Sequence, residues 1–88
     1  MELEIKHLPE KNRFETTVDG VTAFVNYRIA NEALDILHTV VPRAIEGQGI
    51  AAALVKQAYD YARANDMRCQ ATCSYAVVWL RRHPEYVD

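Results

Sequence analysis

The sequence has few of the residues that build linkers, disulfide scaffolds and membrane spans. Its 88 residues hold three glycines, three prolines and two cysteines, and it contains no repeat, linker or low-complexity segment. No apolar run approaches the roughly 20 residues that a spanning helix needs, so we expect no contact with a membrane. These shortages favour a single small globular domain over residues 1–88.

Neither sign of charge is in large excess. Ten basic residues stand against twelve acidic ones, a formal net charge of −2, which gives no general attraction to nucleic acid. Half of the residues are hydrophobic, enough for a folded core. Residues 1–4 have neither the basic nor the apolar stretch of a secretory signal. We expect a cytoplasmic protein that is a monomer or a weak homodimer.

The two cysteines, Cys69 and Cys73, lie four residues apart. In a chain without a secretory signal, such a pair is expected to be two thiols rather than a disulfide. Together with His83 they could ligate zinc, but their spacing matches no standard zinc finger. We therefore predict no metal site.

Alternating polar and apolar residues predict four strands in the first half of the chain. Asp19–Gly20 is a strong signal for a two-residue hairpin, because both positions tolerate a positive φ, and Asn31–Glu32 marks a second turn. Strands this close in sequence form an antiparallel meander. The predicted strands are 3–8, 13–18, 21–29 and 33–41.

The second half of the chain predicts a helix, a strand and a second helix. Apolar residues recur at helical spacing over 49–64, and residues 67–72 return as a fifth strand. Because a helix connects the fourth and fifth strands, we expect these two to be parallel. Ser74 can cap a short final helix over 75–82. The predicted fold is α+β, with a mainly antiparallel sheet of about five strands, a central amphipathic helix and a short C-terminal helix.

The segment 38–55 joins the fourth strand to the central helix and carries two of the three glycines. A turn into a helix start exposes unpaired N–H groups, which is a typical phosphate site. The Walker A pattern fails because no lysine follows the glycines. Residues 47–52 match the Rossmann pattern G-x-G-x-x-A, but five residues separate Val41 from Gly47, and no helix lies between the preceding strands.

A third interpretation fits the segment best. Residues 46–51, E-G-Q-G-I-A, resemble the [QR]-x-x-G-x-[GA] box of the GNAT acetyltransferase superfamily. The chain also resembles a small, single-domain branch of that superfamily through H-T-V-V at 38–41, C-S-Y at 73–75 and H-P-E-Y at 83–86. The box alone is a weak signal, but four elements in this order are a strong one. The resemblance implies a minimal GNAT-like fold without the helices usually inserted after the first strand.

The resemblance also implies a function. It implies that the chain binds acetyl-CoA and transfers the acetyl group to an amine of a small molecule or a protein. The pyrophosphate of coenzyme A would contact the loop and helix start, and the pantetheine arm would pair with the end of the fourth strand. The residues expected to contact the cofactor are Thr39, Val40, Val41, Glu46, Gly47, Gln48, Gly49, Ile50 and Ala51.

Two residues are candidates for catalysis. The resemblance makes Cys73 the candidate nucleophile, and its place just before a helix start would lower the pKa of its thiol; the alternative is a small buried hydrophobe. Regular alternation puts His38 on the same face of the fourth strand as Leu34 and Ile36. There it could face Cys73 and act as a base, or be a structural histidine of the sheet.

Glu46 stands where the superfamily box has Gln or Arg. A carboxylate repels a pyrophosphate, although it is favourable beside an unliganded helix start. Arg43, Arg81 and Arg82 either reach phosphates of coenzyme A or remain solvated charges. Two alternatives stay open: a module that binds coenzyme A or acyl-CoA with little or no catalysis, and an interaction domain that pairs through an open sheet edge.

Overall fold

The computed structural model describes residues 3–87, so Met1, Glu2 and Asp88, the ends of the predicted domain, lie outside it. A five-stranded sheet in the order β1-β2-β3-β4-β5 is covered by two α-helices, which confirms the predicted α+β fold. The elements are β1 (Lys6–Leu8), β2 (Arg13–Val18), β3 (Val21–Ala30), β4 (Ala33–Val40), α1 (Ile50–Ala64), β5 (Arg68–Ala71) and α2 (Ser74–Arg82), with 3₁₀ turns at Pro9–Lys11, Arg43–Ile45 and Pro84–Tyr86.

Both predicted hairpin turns are confirmed. Asp19 and Gly20 have φ values of 51° and 76°, and Asn31 and Glu32 have 52° and 61°. Two successive residues with positive φ match the right-handed twist of the flanking strands. The turns therefore fix the antiparallel register of β2 with β3 and of β3 with β4.

Helix α1 crosses the sheet and makes β4 and β5 parallel, as the chain order predicts. Its buried face packs on residues of β3 and β4, including the fully buried Val25 and Ile36. Tyr59 is also fully buried, and its hydroxyl donates to the Gln70 carbonyl 2.5 Å away. The helix is thereby tied to the strand that leads to Cys73. No helix within residues 3–87 is long and apolar enough to cross a membrane.

A bulge interrupts the pairing of β3 with β4. Tyr27 pairs with Ile36, but the next residue back along β3, Asn26, pairs with His38, so Leu37 is an extra residue. After an extra residue, each side chain of the strand lies on the face opposite to the one that regular alternation predicts. Thr39 then shares the helix-covered face with Ile36, and His38 turns to the opposite face. The alternation predicted for the end of this strand is therefore wrong.

Several predicted boundaries are also corrected: β3 ends at Ala30 rather than at residue 29, α1 begins at Ile50 rather than at residue 49, and β5 is Arg68–Ala71 rather than 67–72. β1 begins at Lys6 rather than at residue 3; the Glu4 carbonyl accepts the Thr16 hydroxyl at 2.9 Å. β4 ends at Val40, because Pro42 has no N–H with which the strand could continue its ladder. Helix α2 begins at Ser74, and the capping residue is Cys73 rather than Ser74.

Candidate active site

A cavity of about 390 Å³ opens between the end of β4 and the start of α1. Gly47 and Gly49 in its wall have φ values of 80° and 76°, the left-handed region that favours glycine. A β-carbon at either position would meet no atom within 4 Å, so the backbone there is open to a ligand. The cavity is lined by Thr39, Val41, Glu46, Gly47, Gly49, Ile50, Ala51, Ala52 and Tyr75.

The start of α1 supplies backbone donors to this cavity. The Ala53 N–H donates to the Gly49 carbonyl at 3.1 Å, which is the first bond of the α-helical ladder. The N–H groups of residues 50–52 precede that bond and therefore have no acceptor within the helix. They lie at the positive end of the helix dipole. The arrangement suits an anion with several oxygen acceptors, such as a diphosphate.

A second cavity of about 330 Å³ adjoins the first and lies between α1 and α2. Ala52 and Tyr75 line both cavities. Trp79 and His83 line the second, with their rings stacked at 3.9 Å between centroids. The cations of Lys56 and Arg82 complete this lining, together with Ala53 and Val78. The second cavity therefore combines aromatic surface with two cations, of which Lys56 is paired with Asp60 at 2.9 Å.

Cys73 lies where β5 ends and α2 begins. It is a free, half-buried thiol. Its backbone N–H donates to the Ile36 carbonyl at 3.0 Å, which fixes the residue against β4. Its Sγ lies 3.5 Å from the Thr39 hydroxyl and donates to it. The sulfur is thus placed beside the β4 end of the first cavity, whose wall includes both Thr39 and Tyr75.

The surroundings of Cys73 favour its thiolate. Burial raises the pKa of the thiol, but hydrogen bonds from the Thr39 hydroxyl and from the N–H groups of Ala76 and Tyr75 lower it by more. The net pKa lies below the ordinary value for cysteine. In the thiol form the side chain makes no capping hydrogen bond, since an uncharged sulfur is a weak acceptor. The N–H groups lower the pKa because they donate hydrogen bonds to the sulfur only when it is ionised.

His38 does not face Cys73. It is exposed and pairs with Asn26 across the bulge, on the face opposite to Thr39 and the buried Val25. Within residues 3–87 its side chain makes no hydrogen bond or ion pair. The expectation that His38 faces the thiol is wrong, because the extra residue Leu37 reverses the face of the strand.

The other expected cofactor residues separate into two groups. Seven of the nine line the first cavity, whereas Val40 and Gln48 are exposed and line neither cavity. Of the three arginines that could reach phosphates, Arg82 lines the second cavity, whereas Arg43 and Arg81 line neither of the two. Residues 3–87 contain no group of three or more histidine, cysteine, aspartate or glutamate side chains that could hold a metal ion.

The sequence analysis missed two features of the site. Lys56 is exposed on α1 and paired with Asp60 at 2.9 Å, and it also lines the second cavity, which its position two turns into α1 does not signal. The Thr39 hydroxyl was not considered as a partner of Cys73. Only the bulge brings it there, and a bulge has no reliable signature in a strand of β-branched residues.

Comparison with known proteins decides the family. A sequence profile described as GCN5-related N-acetyl-transferase matches residues 13–88. The chain belongs to this family. Its sheet, α1 and α2 are therefore those of a GCN5-related N-acetyltransferase, a family of acyltransferases. The profile covers the loop, both cavities and Cys73, so the family assignment rests on the part of the chain that forms the site.

Individual relatives agree with this assignment. The NMR structure of a GCN5-like candidate N-acetyltransferase from Staphylococcus aureus superimposes with a TM-score of 0.75 at 33% identity, covering 96% of this chain and 83% of that one. Protein NATD1 of Danio rerio is 29% identical, over 98% of this chain and 83% of its own length. Protein NATD1 of Homo sapiens is 28% identical, over 93% of this chain and 75% of its own length. This GCN5-related chain thus covers between 75% and 83% of the length of these relatives.

Proposed function

We propose that this chain binds acetyl-CoA and transfers the acetyl group to an amine. The observation that carries the proposal is the first cavity, where open glycine backbone and the unpaired N–H groups of residues 50–52 meet the end of β4. Membership of the GCN5-related family supports the reaction class. Both cavities lie within the 300–1,000 Å³ typical of small-molecule sites.

The residues present fit coenzyme A, provided that both cavities are used. Three charge-assisted hydrogen bonds from residues 50–52, at about 1.5 kcal/mol each, give about 4.5 kcal/mol, whereas association costs at least about 4 kcal/mol. The loop alone would therefore bind weakly. The aromatic rings and the cations Lys56 and Arg82 of the second cavity offer the additional contacts for a nucleotide with a further phosphate.

Acetyl-CoA supplies an activated thioester, whose carbonyl carbon accepts a nucleophile and whose sulfur leaves. The Cys73 thiolate is the nucleophile that this chain offers. A bond from Sγ to the acetyl carbon forms as the thioester carbon–sulfur bond breaks, and coenzyme A leaves as its thiolate. The neutral amine then takes the acetyl group from Cys73, whose sulfur leaves as a thiolate again, and the proton lost by the amine nitrogen passes through solvent to the thiolate of coenzyme A.

The acceptor amine sets the energetic demand of the reaction. An alkylammonium with a pKa near 10.4 must lose a proton, which costs about 4.6 kcal/mol at pH 7. His38 is exposed on the other face of the sheet and is not placed to remove that proton. We propose that the acceptor is a small-molecule or protein amine, and that the chain acts in the cytoplasm as a monomer or weak homodimer.

Replacing Cys73 with alanine separates a covalent route from direct transfer. We expect Cys73→Ala to lower the rate of acetyl transfer at least a hundredfold and to leave coenzyme A binding intact, because the cavity wall does not include Cys73. Cys69→Ala, four residues away, is the matched control and should retain activity. A rate unchanged in Cys73→Ala would remove the covalent route while leaving the proposed reaction in place.

A second candidate function is a binding module for coenzyme A or acyl-CoA without efficient catalysis. The Glu46 carboxylate on the cavity wall and the position of His38 favour it. Calorimetry with coenzyme A, followed by a screen of amine acceptors with acetyl-CoA, distinguishes the two functions. Binding with turnover supports the transferase, and binding without turnover supports the module. Absence of binding would refute both.

A further inference from the structure

Within residues 3–87, the Thr39 hydroxyl is the side-chain group that hydrogen-bonds Cys73. The two atoms lie 3.5 Å apart. Thr39 pairs with the fully buried Val25, so its side chain lies on the helix-covered face of the sheet. It is held there because Leu37 forms the bulge. Thr39 also lines the first cavity, so the same residue borders the cavity and contacts the sulfur.

Cys73 occupies the capping position of α2. At this position a serine or threonine oxygen normally accepts from the N–H groups two and three residues later, which here are those of Tyr75 and Ala76. A thiolate at this position can accept from both. It can also accept a third hydrogen bond from Thr39, which approaches from the opposite side, on β4. These three donors, together with the backbone N–H of Thr39, outweigh the effect of burial and hold the pKa of Cys73 below its ordinary value.

We propose that Thr39 is a positioning residue that holds the Cys73 sulfur beside the cavity and stabilises its thiolate. In the thiol form, S–H donates to the Thr39 oxygen. On ionisation the hydroxyl rotates and donates to sulfur, since a hydroxyl can act in either sense. The hydrogen bond from the hydroxyl to the thiolate is charge-assisted and therefore stronger than the bond from S–H to the hydroxyl. The inference depends on the proposed function only for the role of the thiolate as the nucleophile.

The test measures ionisation of Cys73 without any substrate. The wild type, Thr39→Val and Thr39→Ser are alkylated with iodoacetamide across a pH series, and the rate at Cys73 is followed by peptide mass spectrometry. Thr39→Val keeps the shape of the side chain but removes the hydroxyl. We expect this variant to raise the midpoint of the curve of Cys73 alkylation rate against pH by about one pH unit. At a fixed pH this corresponds to a roughly tenfold lower ratio of thiolate to thiol. Thr39→Ser should keep the wild-type midpoint.

Two controls make the result specific. Thr22→Val removes a hydroxyl that is hydrogen-bonded to Thr17 on an exposed surface, and it should leave the midpoint for Cys73 unchanged. Alkylation of Cys69 is the internal reference in every sample. Circular dichroism checks folding, and Thr39→Ala replaces Thr39→Val if the latter does not fold. An unmoved midpoint in the hydroxyl-free variant, or an equal shift in Thr39→Ser, would overturn the proposal. Failure of wild-type protein to bind coenzyme A would refute the proposed function but leave this result intact.

Discussion

Glu46 places a carboxylate on the wall of the cavity where we propose that a diphosphate binds. It is exposed, so water screens its charge. Two unit charges about 4 Å apart in water interact by about 1 kcal/mol, which corresponds to roughly a fivefold change in affinity. Glu46 is therefore expected to weaken binding of coenzyme A without abolishing it.

Replacing Glu46 with glutamine should lower the Kd for coenzyme A about fivefold at low ionic strength. The difference from wild type should shrink as salt is added, because screening reduces the repulsion. Isothermal calorimetry at two salt concentrations measures both effects. Glu32→Gln is the matched control, since Glu32 is an exposed carboxylate at the other end of β4, about 20 Å away along an extended strand. An equal gain in both variants would contradict a local role for Glu46.

At the scale of elements, the loop between β4 and α1 determines whether backbone donors face the cavity. Gly49 is the capping residue of α1 and has a φ of 76°. A side chain at such a φ costs about 1–2 kcal/mol. Because a β-carbon there would meet no atom within 4 Å, the cost is conformational and not a clash within the protein.

Gly49→Ala and Gly20→Ala form a matched pair. Gly20 has the same φ of 76° and the same open surroundings, but lies in the β2–β3 hairpin. Both variants should lose about 1–2 kcal/mol of unfolding free energy in urea titrations. Only Gly49→Ala should also weaken coenzyme A binding, because it alters the donors at the start of α1. Equal binding by the two variants would contradict the assignment of the loop.

The bulge in β4 is the feature of this element that could not be predicted from the sequence. The hairpin turns contain Asp19, Gly20 and Asn31, residue types that adopt positive φ readily, so the meander was predictable. The face of Thr39 was not, because one unannounced residue, Leu37, reverses the alternation that follows it. The same reversal moved His38 away from the thiol and left Thr39 in its place.

For the whole molecule, the fold was more predictable than the site. The order of strands and helices follows from periodicity, and the parallel pairing of β4 with β5 follows from the length of the α1 connection. The site depends instead on how α2 lies against α1, which creates the second cavity with Lys56 and Arg82. That placement arises from packing of Trp79 against Tyr59 and Tyr86, which no local pattern specifies.

The loop and the start of α1 are the proposed site for the diphosphate of coenzyme A. A titration of coenzyme A into ¹⁵N-labelled protein, followed by heteronuclear NMR, measures which amides the ligand reaches. We expect the amide signals of Gly47, Gly49, Ile50 and Ala51 to shift with a common saturation curve, while that of Gly20, in the distant β2–β3 hairpin, stays in place. Unmoved amides from Gly47 to Ala51 at saturating coenzyme A would contradict the account.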